Sequence, residues 1–270
     1  MRSLWEGTFR EPVFWDLLGH RLTELAKVQP GANVLDVGTG EGAVLIPAAR
    51  CAGPTGRSVG IDISPRSVES TLRQLHFHEI DHAEVLEMDA RDLTFADESF
   101  DIVLSGFIGW DDVYDFEEER LETEPDAILE MYRVLKPGGL VGISSWVNEE
   151  DVELLRCLLA ETKGCELDDV PRHYSKETEY GVRELLGLCG FHDVWTIVEE
   201  QSFAYADTAE WLAVLRAYGW EPELAPIEAD ERARETFERE VLSRLAEHRV
   251  EAGVLFCRSV VFALGRKPLA

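Results

Sequence analysis

The chain has 270 residues, of which 45% are apolar, and its formal net charge at neutral pH is −27. This length is enough for one large hydrophobic core, or for one core with a small cap. The negative charge would repel phosphate backbones, which argues against a nucleic-acid substrate, and no apolar run approaches the roughly 20 residues that span a bilayer.

The N-terminal segment, residues 1–29, is predicted to form helices that close over a ligand. It carries acidic and aromatic side chains where a secretory signal would have an unbroken apolar stretch. The sequence therefore predicts a cytoplasmic protein without a membrane partner.

The segment 30–146 alternates between short apolar runs and runs with helical spacing. The predicted strands are 33–38, 57–64, 83–89, 100–107 and 140–146, and the predicted helices are 41–52, 64–78 and 126–135. Repeated strand–helix–strand units predict an α/β fold with a doubly wound parallel sheet and right-handed crossovers.

The pattern changes after Trp146. The elements predicted there are helices at 148–164 and 176–191, strands at 193–205 and 253–265, and a helical block at 208–249. Neither an internal repeat nor a low-complexity linker interrupts the sequence. We therefore expect a single domain, 1–270, with a core at 30–146 and helical insertions at 147–175 and 208–249.

A glycine-rich loop follows the first strand of the core. The run VLDVGTGEG contains Asp36 and then Gly38, Gly40 and Gly42 at alternate positions. Ligands of open parallel sheets bind beyond the carboxyl ends of the strands, and glycine lets the backbone approach a ligand without a Cβ atom. Dinucleotides and S-adenosylmethionine are both bound in this way, and a dinucleotide fingerprint also fits Gly38, Gly40 and Ala43. The loop alone leaves both ligands open.

Acidic residues at the ends of the next two strands narrow the choice. Asp62 lies about 20 residues beyond Gly40, where an acid can accept from both ribose hydroxyls of either ligand. Asp89, in EMDA, can accept from an adenine amino group while the N–H of Ala90 meets a ring nitrogen. Together with LKPGG before the fifth strand, this arrangement favours S-adenosylmethionine.

The sequence resembles the class I S-adenosylmethionine-dependent methyltransferases, and most of all the type 11 group related to the ubiquinone/menaquinone biosynthesis methyltransferases. The resemblance is carried by the order of VLDVGTGEG, VGIDIS, EMDA, FDIVLSGF and RVLKPGGLVGIS within residues 30–146. It implies a Rossmann-like seven-stranded sheet whose last strand is antiparallel. It also implies methyl transfer to an N, O or C atom of a small molecule by in-line displacement.

The resemblance further implies which residues contact each part of S-adenosylmethionine. They are Asp36, Gly38, Thr39 and Gly40 at the methionine part, Asp62 at the ribose, Ile63, Asp89 and Ala90 at the adenine, and Ser105, Gly106 and Phe107 beside the sulfonium. Asp36 would hold the loop or reach the amino group through a water molecule.

The motifs do not specify a general base. His173 and Tyr174 fall where this fold often builds a lid, and Tyr114 follows the fourth strand, near the expected methyl acceptor. These three are the catalytic candidates. Asp111 and Asp112 resemble the metal pair of catechol-type enzymes, but no partner Asp-Asn follows the fifth strand, so no metal is expected.

Two alternative functions remain open at this point. One is a protein of the same fold that uses bound S-adenosylmethionine structurally, for example in a cyclisation. The other is an NAD-dependent oxidoreductase, for which the sequence offers no further catalytic signature. For the favoured methyltransferase, the insertions 147–175 and 208–249 are expected to enclose a small-molecule acceptor, in a monomer or a homodimer.

Overall fold

The structure is a computed structural model, and it describes residues 8–9, 13–171, 177–251 and 253–269. The strands are β1 (Thr8–Phe9), β2 (Asn33–Val37), β3 (Arg57–Asp62), β4 (Ala83–Glu87), β5 (Phe100–Gly106), β6 (Tyr114–Asp115), β7 (Arg120–Leu121), β8 (Leu135–Glu149), β9 (His192–Tyr205), β10 (Arg249–Val250) and β11 (Gly253–Arg266). The helices are α1 (Val13–Ala26), α2 (Leu45–Ala52), α3 (Pro65–Phe77), α4 (Asp126–Val134), α5 (Glu150–Lys163), α6 (Glu179–Leu188), α7 (Thr208–Leu215), α8 (Glu221–Ala229) and α9 (Glu231–Arg244).

The main sheet has the strand order β1-β9-β11-β8-β5-β2-β3-β4, with β10 beside β11. The neighbours from β8 to β4 pair in parallel. The N–H of Gly138 donates to the carbonyl of Lys267, and the N–H of Lys267 donates to the carbonyl of Gly139. These bonds align the start of β8 with the end of β11, so β11 runs antiparallel. The predicted α/β fold class is therefore confirmed.

The predicted number of strands needs a small correction. All seven predicted strands are present, but the described residues form a main sheet of nine because β1 and β10 each add two residues. These short strands lack an apolar run of their own, which is why periodicity does not reveal them.

The central strands form because their side chains are apolar on both faces. In β2, Val34, Leu35 and Val37 have no exposed surface, as expected for a parallel strand between two helical layers. The order of the strands in the sheet reverses at β2, because β3 and β4 lie on one side of it and β5 and β8 on the other. This reversal is the position at which open parallel sheets bind ligands.

Helix α2 begins four residues later than predicted, at Leu45 instead of residue 41. Gly40 and Gly42 have φ values of 56° and 90°, which a right-handed helix does not contain. Helix α3 begins as predicted, because Ser64 accepts a hydrogen bond from the N–H of Ser67 and Pro65 occupies the first turn.

The KPGG sequence ends α4 as predicted, but it also belongs to β8, which starts at Leu135 instead of residue 140. The ammonium of Lys267 donates to the carbonyls of Tyr132 and Leu135 at 2.9 and 2.8 Å. It therefore stabilises the carbonyl end of α4.

The described residues fall into two compact units. The larger contains 13–147, 177–198 and 260–269, and the smaller contains 8–9, 148–171, 199–251 and 253–259. None of the described helices is long and apolar enough to cross a membrane. The assignment of a single domain with lid insertions stays a prediction.

The smaller unit contains helices α5, α7, α8 and α9, in the segments that the sequence predicts to be helical insertions. It contains a buried ion pair, in which the guanidinium of Arg258 donates to both carboxylate oxygens of Asp151 at 2.9 and 2.7 Å. The hydroxyl of Tyr205 donates to the same carboxylate at 2.7 Å. A buried ion pair needs such additional hydrogen bonds, because both charges have lost their hydration.

Candidate functional site

A cavity of about 730 Å³ lies in the larger unit at the carboxyl ends of β2, β3 and β4. Its wall is formed by Val37, Gly38, Ile61, Asp62, Ile63, Met88, Asp89, Ala90, Arg91, Ile108, Gly109, Trp110, Asp111, Asp112, Val113, Thr123, Glu124, Asp126 and Ala127. The volume falls within the usual range of small-molecule sites, and the position is the one expected for a ligand of a doubly wound sheet. This cavity is the candidate site.

The predicted cofactor residues divide into two sets by their relation to the cavity. Those that line it are Gly38, Asp62, Ile63, Asp89 and Ala90, and those that do not line it are Asp36, Thr39, Gly40, Ser105, Gly106 and Phe107. The structure thus brings together at the cavity the residues expected at ribose and adenine, whereas most of those expected at the methionine part and the sulfonium are not among its lining residues.

The glycine loop is held in place by backbone hydrogen bonds. The N–H of Thr39 donates to the carbonyl of Ile61 at 2.8 Å, and the N–H of Gly40 donates to the carboxylate of Asp62 at 2.9 Å. A Cβ atom at Gly38 would lie 2.4 Å from Cγ2 of Ile108, whereas a Cβ atom at Gly40 would meet nothing within 4 Å. Glycine at residue 38 therefore allows Ile108 to pack closely against the loop. At residue 40, by contrast, the loop faces open space.

The carboxylate of Asp62 is fixed by two backbone donors at the end of β3. Its Oδ2 accepts from the N–H of Gly40, and its Oδ1 accepts from the N–H of Ser64, both at 2.9 Å. Each carboxylate oxygen can accept a second hydrogen bond. Asp62 can therefore accept hydrogen bonds from the two hydroxyls of a ribose while it still accepts those from Gly40 and Ser64.

Ile63 provides an apolar surface beside Asp62. Although it is a large aliphatic residue, 64% of its surface is exposed, and it lines the cavity together with Met88, Ala90 and Ile108. An apolar wall next to a fixed carboxylate suits a ligand that joins a planar ring to a sugar.

Asp89 is paired with a residue that the sequence reasoning did not single out. The guanidinium of Arg91 donates to Oδ1 at 3.0 Å and to Oδ2 at 2.7 Å, and the N–H of Arg91 donates to Oδ1 at 2.9 Å. These bonds lower the pKa of Asp89 from 3.8 to about 2. The carboxylate of Asp89 is therefore ionised. An adenine amino group would donate to an oxygen that also accepts a hydrogen bond from Arg91. The spacing of two residues between Asp89 and Arg91 is the signal that could have revealed this pair.

Asp36 lies buried behind the glycine loop, with 1% of its surface exposed. Its Oδ2 accepts from the hydroxyl of Thr39 at 2.7 Å, while its Oδ1 accepts no hydrogen bond from any residue that the structure describes. Burial, with a smaller contribution from the charge of Asp62, raises the pKa of Asp36 from 3.8 to about 7. The Thr39 hydrogen bond and the backbone amide of Leu45 oppose this shift only in part.

The end of β5 differs from the arrangement that the resemblance implies. The hydroxyl of Ser105 is buried and donates to the carbonyl of Val37 at 3.0 Å, so it joins β5 to β2. Phe107 has a φ of 57°, and its ring lies 5.1 Å from Trp15 and 4.7 Å from Trp146, between ring centroids. Phe107 therefore belongs to an aromatic cluster, and its role beside a sulfonium stays a prediction.

The loop after β5 also lines the cavity, with residues 108–113. The N–H of Trp110 donates to the buried carboxylate of Glu177 at 2.7 Å, which anchors this loop to the start of the segment before α6. Trp110 itself is almost fully buried although it lines the cavity. The loop is thus held at Trp110 by a buried hydrogen bond and by buried packing.

Of the three catalytic candidates, Tyr114 alone is among the residues that the structure describes. Tyr114 has 1% of its surface exposed and packs in the core, 5.0 Å from the ring of Phe116, and burial raises its pKa. It does not line the cavity. His173 and Tyr174 lie outside the described residues. Catalytic roles for all three stay predictions. Packing in the core explains the buried position of Tyr114 without a catalytic role.

The wall of the cavity is strongly acidic. Its acidic residues are Asp62, Asp89, Asp111, Asp112, Glu124 and Asp126, and Arg91 is the basic residue among the lining residues. Such a wall produces a negative potential that favours a positively charged ligand group. Within the described part of the chain, no group of three or more His, Cys, Asp or Glu side chains is arranged to hold a metal ion.

Comparisons with known proteins agree with this architecture. A family model described as a methyltransferase domain matches residues 29–212, which is more than half of the chain. The sequence is similar to nocamycin O-methyltransferase from Saccharothrix syringae, with 33% identity over 132 residues, or 48% of this chain and 44% of that protein. It is also similar to demethylmenaquinone methyltransferase from Listeria welshimeri, with 36% identity over 116 residues, or 43% of this chain and 45% of that protein.

The matched segments thus span less than half of the length of these two relatives. Among solved structures, the YcgJ protein from Bacillus subtilis has a TM-score of 0.58 at 16% identity, and the similarity covers 94% of this chain and all of that one. At this low identity, the structural similarity supports the fold alone.

Proposed function

The chain belongs to the methyltransferase-domain family, and on this basis we propose that it transfers the methyl group of S-adenosylmethionine to a small-molecule acceptor. The observation that carries the proposal is the cavity at the end of β3 and β4. There, Asp62 presents a fixed carboxylate and Ile63 an apolar surface, while Asp89 and Ala90 follow the next strand. The sequence motifs predict that these residues bind the ribose and the adenine of S-adenosylmethionine.

The chemistry of the wall fits S-adenosylmethionine, which carries a sulfonium and an ammonium but no phosphate. An acidic wall stabilises positive charge, and it would repel the diphosphate of a dinucleotide. Nor does the glycine loop lead directly into a helix, since four residues separate Gly40 from α2. The phosphate-binding helix N-terminus of a dinucleotide site is therefore not formed in the usual way.

S-adenosylmethionine would supply an electrophilic methyl group, which an acceptor N, O or C atom takes by in-line displacement. The protein would contribute mainly by positioning. Asp62 would orient the ribose, Asp89 would hold the adenine edge, and the loop at Gly38 and Gly40 would lie against the methionine part. Positioning of this kind can be worth roughly 7–11 kcal/mol in favourable cases.

We propose a small organic acceptor for three reasons. Both sequence relatives are named for small acceptors, nocamycin and demethylmenaquinone. The cavity volume of about 730 Å³ suits a nucleoside-sized ligand with a small partner. The net charge of −27 disfavours nucleic acid. A cytoplasmic location belongs to the same proposal.

We expect S-adenosylhomocysteine, the product of methyl transfer, to stabilise the protein against heat. At a concentration of about 100 times its Kd, a ligand that binds only the folded state adds about 2.7 kcal/mol, which corresponds to a rise in Tm of roughly 5–10 °C for a chain of this size. The measurement is a thermal melt with S-adenosylhomocysteine, with NAD as the matched nucleotide control. A rise in Tm with NAD and none with S-adenosylhomocysteine would show that the proposed ligand is wrong.

A further inference from the structure

We infer that Arg91 is a positioning residue, which sets the preference of the site for adenine by holding the carboxylate of Asp89 in one orientation. The inference rests on the proposed function and deepens it, because it assigns the selection of the base to a residue that lies outside the sequence motifs. Arg91 lines the cavity together with Asp89 and Ala90, so it lies at the part of the site where adenine is expected.

The side chain of Arg91 grips both oxygens of the Asp89 carboxylate. Oδ1 accepts from the backbone N–H of Arg91 at 2.9 Å and from Nε at 3.0 Å. Oδ2 accepts from Nη2 at 2.7 Å and shares the Nε donor at 3.2 Å. The backbone N–H holds one oxygen, whereas the planar two-donor guanidinium also fixes the plane of the carboxylate. Arg91 therefore determines which oxygen of Asp89 is available to a ligand.

The available oxygen is Oδ2. A carboxylate has about two acceptor positions on each oxygen, and Oδ1 already accepts two hydrogen bonds from Arg91. The second contact of Oδ2 is the longer, shared one, so this oxygen keeps capacity for a further donor. Without the guanidinium, the two oxygens could exchange places by rotation of the carboxyl group, and a ligand would not meet a single fixed acceptor.

A fixed acceptor distinguishes adenine from its deaminated counterpart, hypoxanthine. Adenine has an exocyclic amino group, which donates, whereas hypoxanthine has a carbonyl oxygen at the same position, which only accepts. An ionised carboxylate also only accepts, so it attracts the amino group and repels the carbonyl oxygen. The carboxylate is ionised at neutral pH even without Arg91, since the ordinary pKa of aspartate is 3.8. Arg91 therefore contributes the orientation of Asp89 and not its charge.

Two further carboxylates act on the guanidinium. Asp112 and Asp126, which also line the cavity, attract Arg91 electrostatically. A hypoxanthine carbonyl oxygen would have to compete with these carboxylates and with Asp89 for the donors of Arg91. The guanidinium is thus a poor partner for the wrong base, and its effect on selectivity passes through Asp89.

The test compares S-adenosylhomocysteine with S-inosylhomocysteine, the analogue that carries hypoxanthine in place of adenine. Calorimetry at neutral pH gives both Kd values, and the ratio of the Kd of the inosyl ligand to that of the adenosyl ligand reports the preference for adenine. We expect this ratio to fall about tenfold in Arg91→Ala, the lower end of the range for a hydrogen bond to a charged group. A general loss of binding-competent protein changes both Kd values alike, so the ratio isolates the base.

Arg73→Ala is the matched control. Arg73 also forms an ion pair, 2.9 Å from Glu69, and its side chain is 62% exposed compared with 67% for Arg91, but it does not line the cavity. Exposed ion pairs contribute little to stability, so both alanine variants should melt near the wild type. Arg73→Ala should keep the wild-type ratio. Arg91→Lys keeps the charge but not the planar two-donor group, so its ratio should fall as in Arg91→Ala.

A double-mutant cycle tests whether Arg91 acts through Asp89. Asp89→Asn offers the base an amide that both donates and accepts, so its ratio should fall, and adding Arg91→Ala should lower it no further. A further fall in the double variant overturns the inference, as does a wild-type ratio in Arg91→Ala or in Arg91→Lys. Equal binding of the two ligands by the wild type also overturns it. If S-adenosylhomocysteine does not bind the wild type, the proposed function itself fails.

Discussion

Replacing Asp62 by alanine is expected to weaken the binding of S-adenosylhomocysteine by about 1.5–3 kcal/mol, the usual scale for hydrogen bonds to a charged group. This corresponds to a roughly 10- to 150-fold increase in Kd. The carboxylate of Asp62 is the acceptor for the N–H groups of Gly40 and Ser64. The substitution therefore removes the predicted ribose acceptor and also frees the two backbone donors of Gly40 and Ser64. Isothermal calorimetry gives the Kd.

The control for this prediction is Asp81→Ala, which removes one carboxylate from an exposed position outside the cavity. It should leave both the Kd and the Tm unchanged, because the loss of one exposed charge is small. Asp62→Asn is a useful intermediate, since an amide keeps one acceptor oxygen but not both. If Asp62→Ala bound the ligand as tightly as the wild type, the assignment of Asp62 to the ribose would be wrong.

The parts of the fold that the sequence predicts well are those whose cause is local. The strands at 33–38 and 57–64 each contain a short apolar run, and Ser64 with Pro65 marks a helix start through the hydrogen bond that Ser64 accepts. The start of α2 was predicted four residues too early, because helical spacing does not register the positive φ of Gly42. Apolar periodicity therefore locates elements better than it locates their ends.

The site residues, too, include some whose positions the sequence predicts and others whose positions it does not. Asp62 and Asp89 could be placed at the cavity because Asp62 ends β3 and Asp89 follows β4, and parallel strands end at one edge of the sheet. The orientation of Ser105 could not be predicted, because its hydroxyl bonds to the carbonyl of Val37 on a strand distant in sequence. Tyr114 likewise follows β5 in sequence, but it turns into the core. The direction of a side chain depends on packing, which the sequence pattern does not record.

The sequence also indicated the helical content of the insertions but not their internal geometry. The predicted block 208–249 contains α7, α8 and α9, and Gly219, with a φ of 101°, interrupts the helical path between α7 and α8. A single glycine within an apolar pattern gives no indication of the backbone angle that it adopts. Whether 147–175 and 208–249 line the acceptor site stays a prediction, as do the roles of His173 and Tyr174.

Gly40→Ala is expected to abolish most of the cofactor affinity while leaving the protein folded. A Cβ atom at Gly40 would meet no protein atom within 4 Å, so the fold has room for it. The same open space is where the methionine part of S-adenosylmethionine is expected to lie against the loop. An added methyl group at a close contact costs about 1–3 kcal/mol, and the expected increase in the Kd of S-adenosylhomocysteine is roughly 10- to 100-fold.

The matched control for this prediction is Gly164→Ala at the end of α5. Gly164 has a φ of 65°, compared with 56° for Gly40, and a Cβ atom there also meets nothing within 4 Å. Both substitutions place alanine in left-handed backbone, which costs about 1–2 kcal/mol, so thermal melts should show similar losses of stability. Only Gly40→Ala should lose ligand affinity. Equal Kd values in the two variants would mean that the glycine at residue 40 serves the turn alone, and that the ligand lies elsewhere along the cavity.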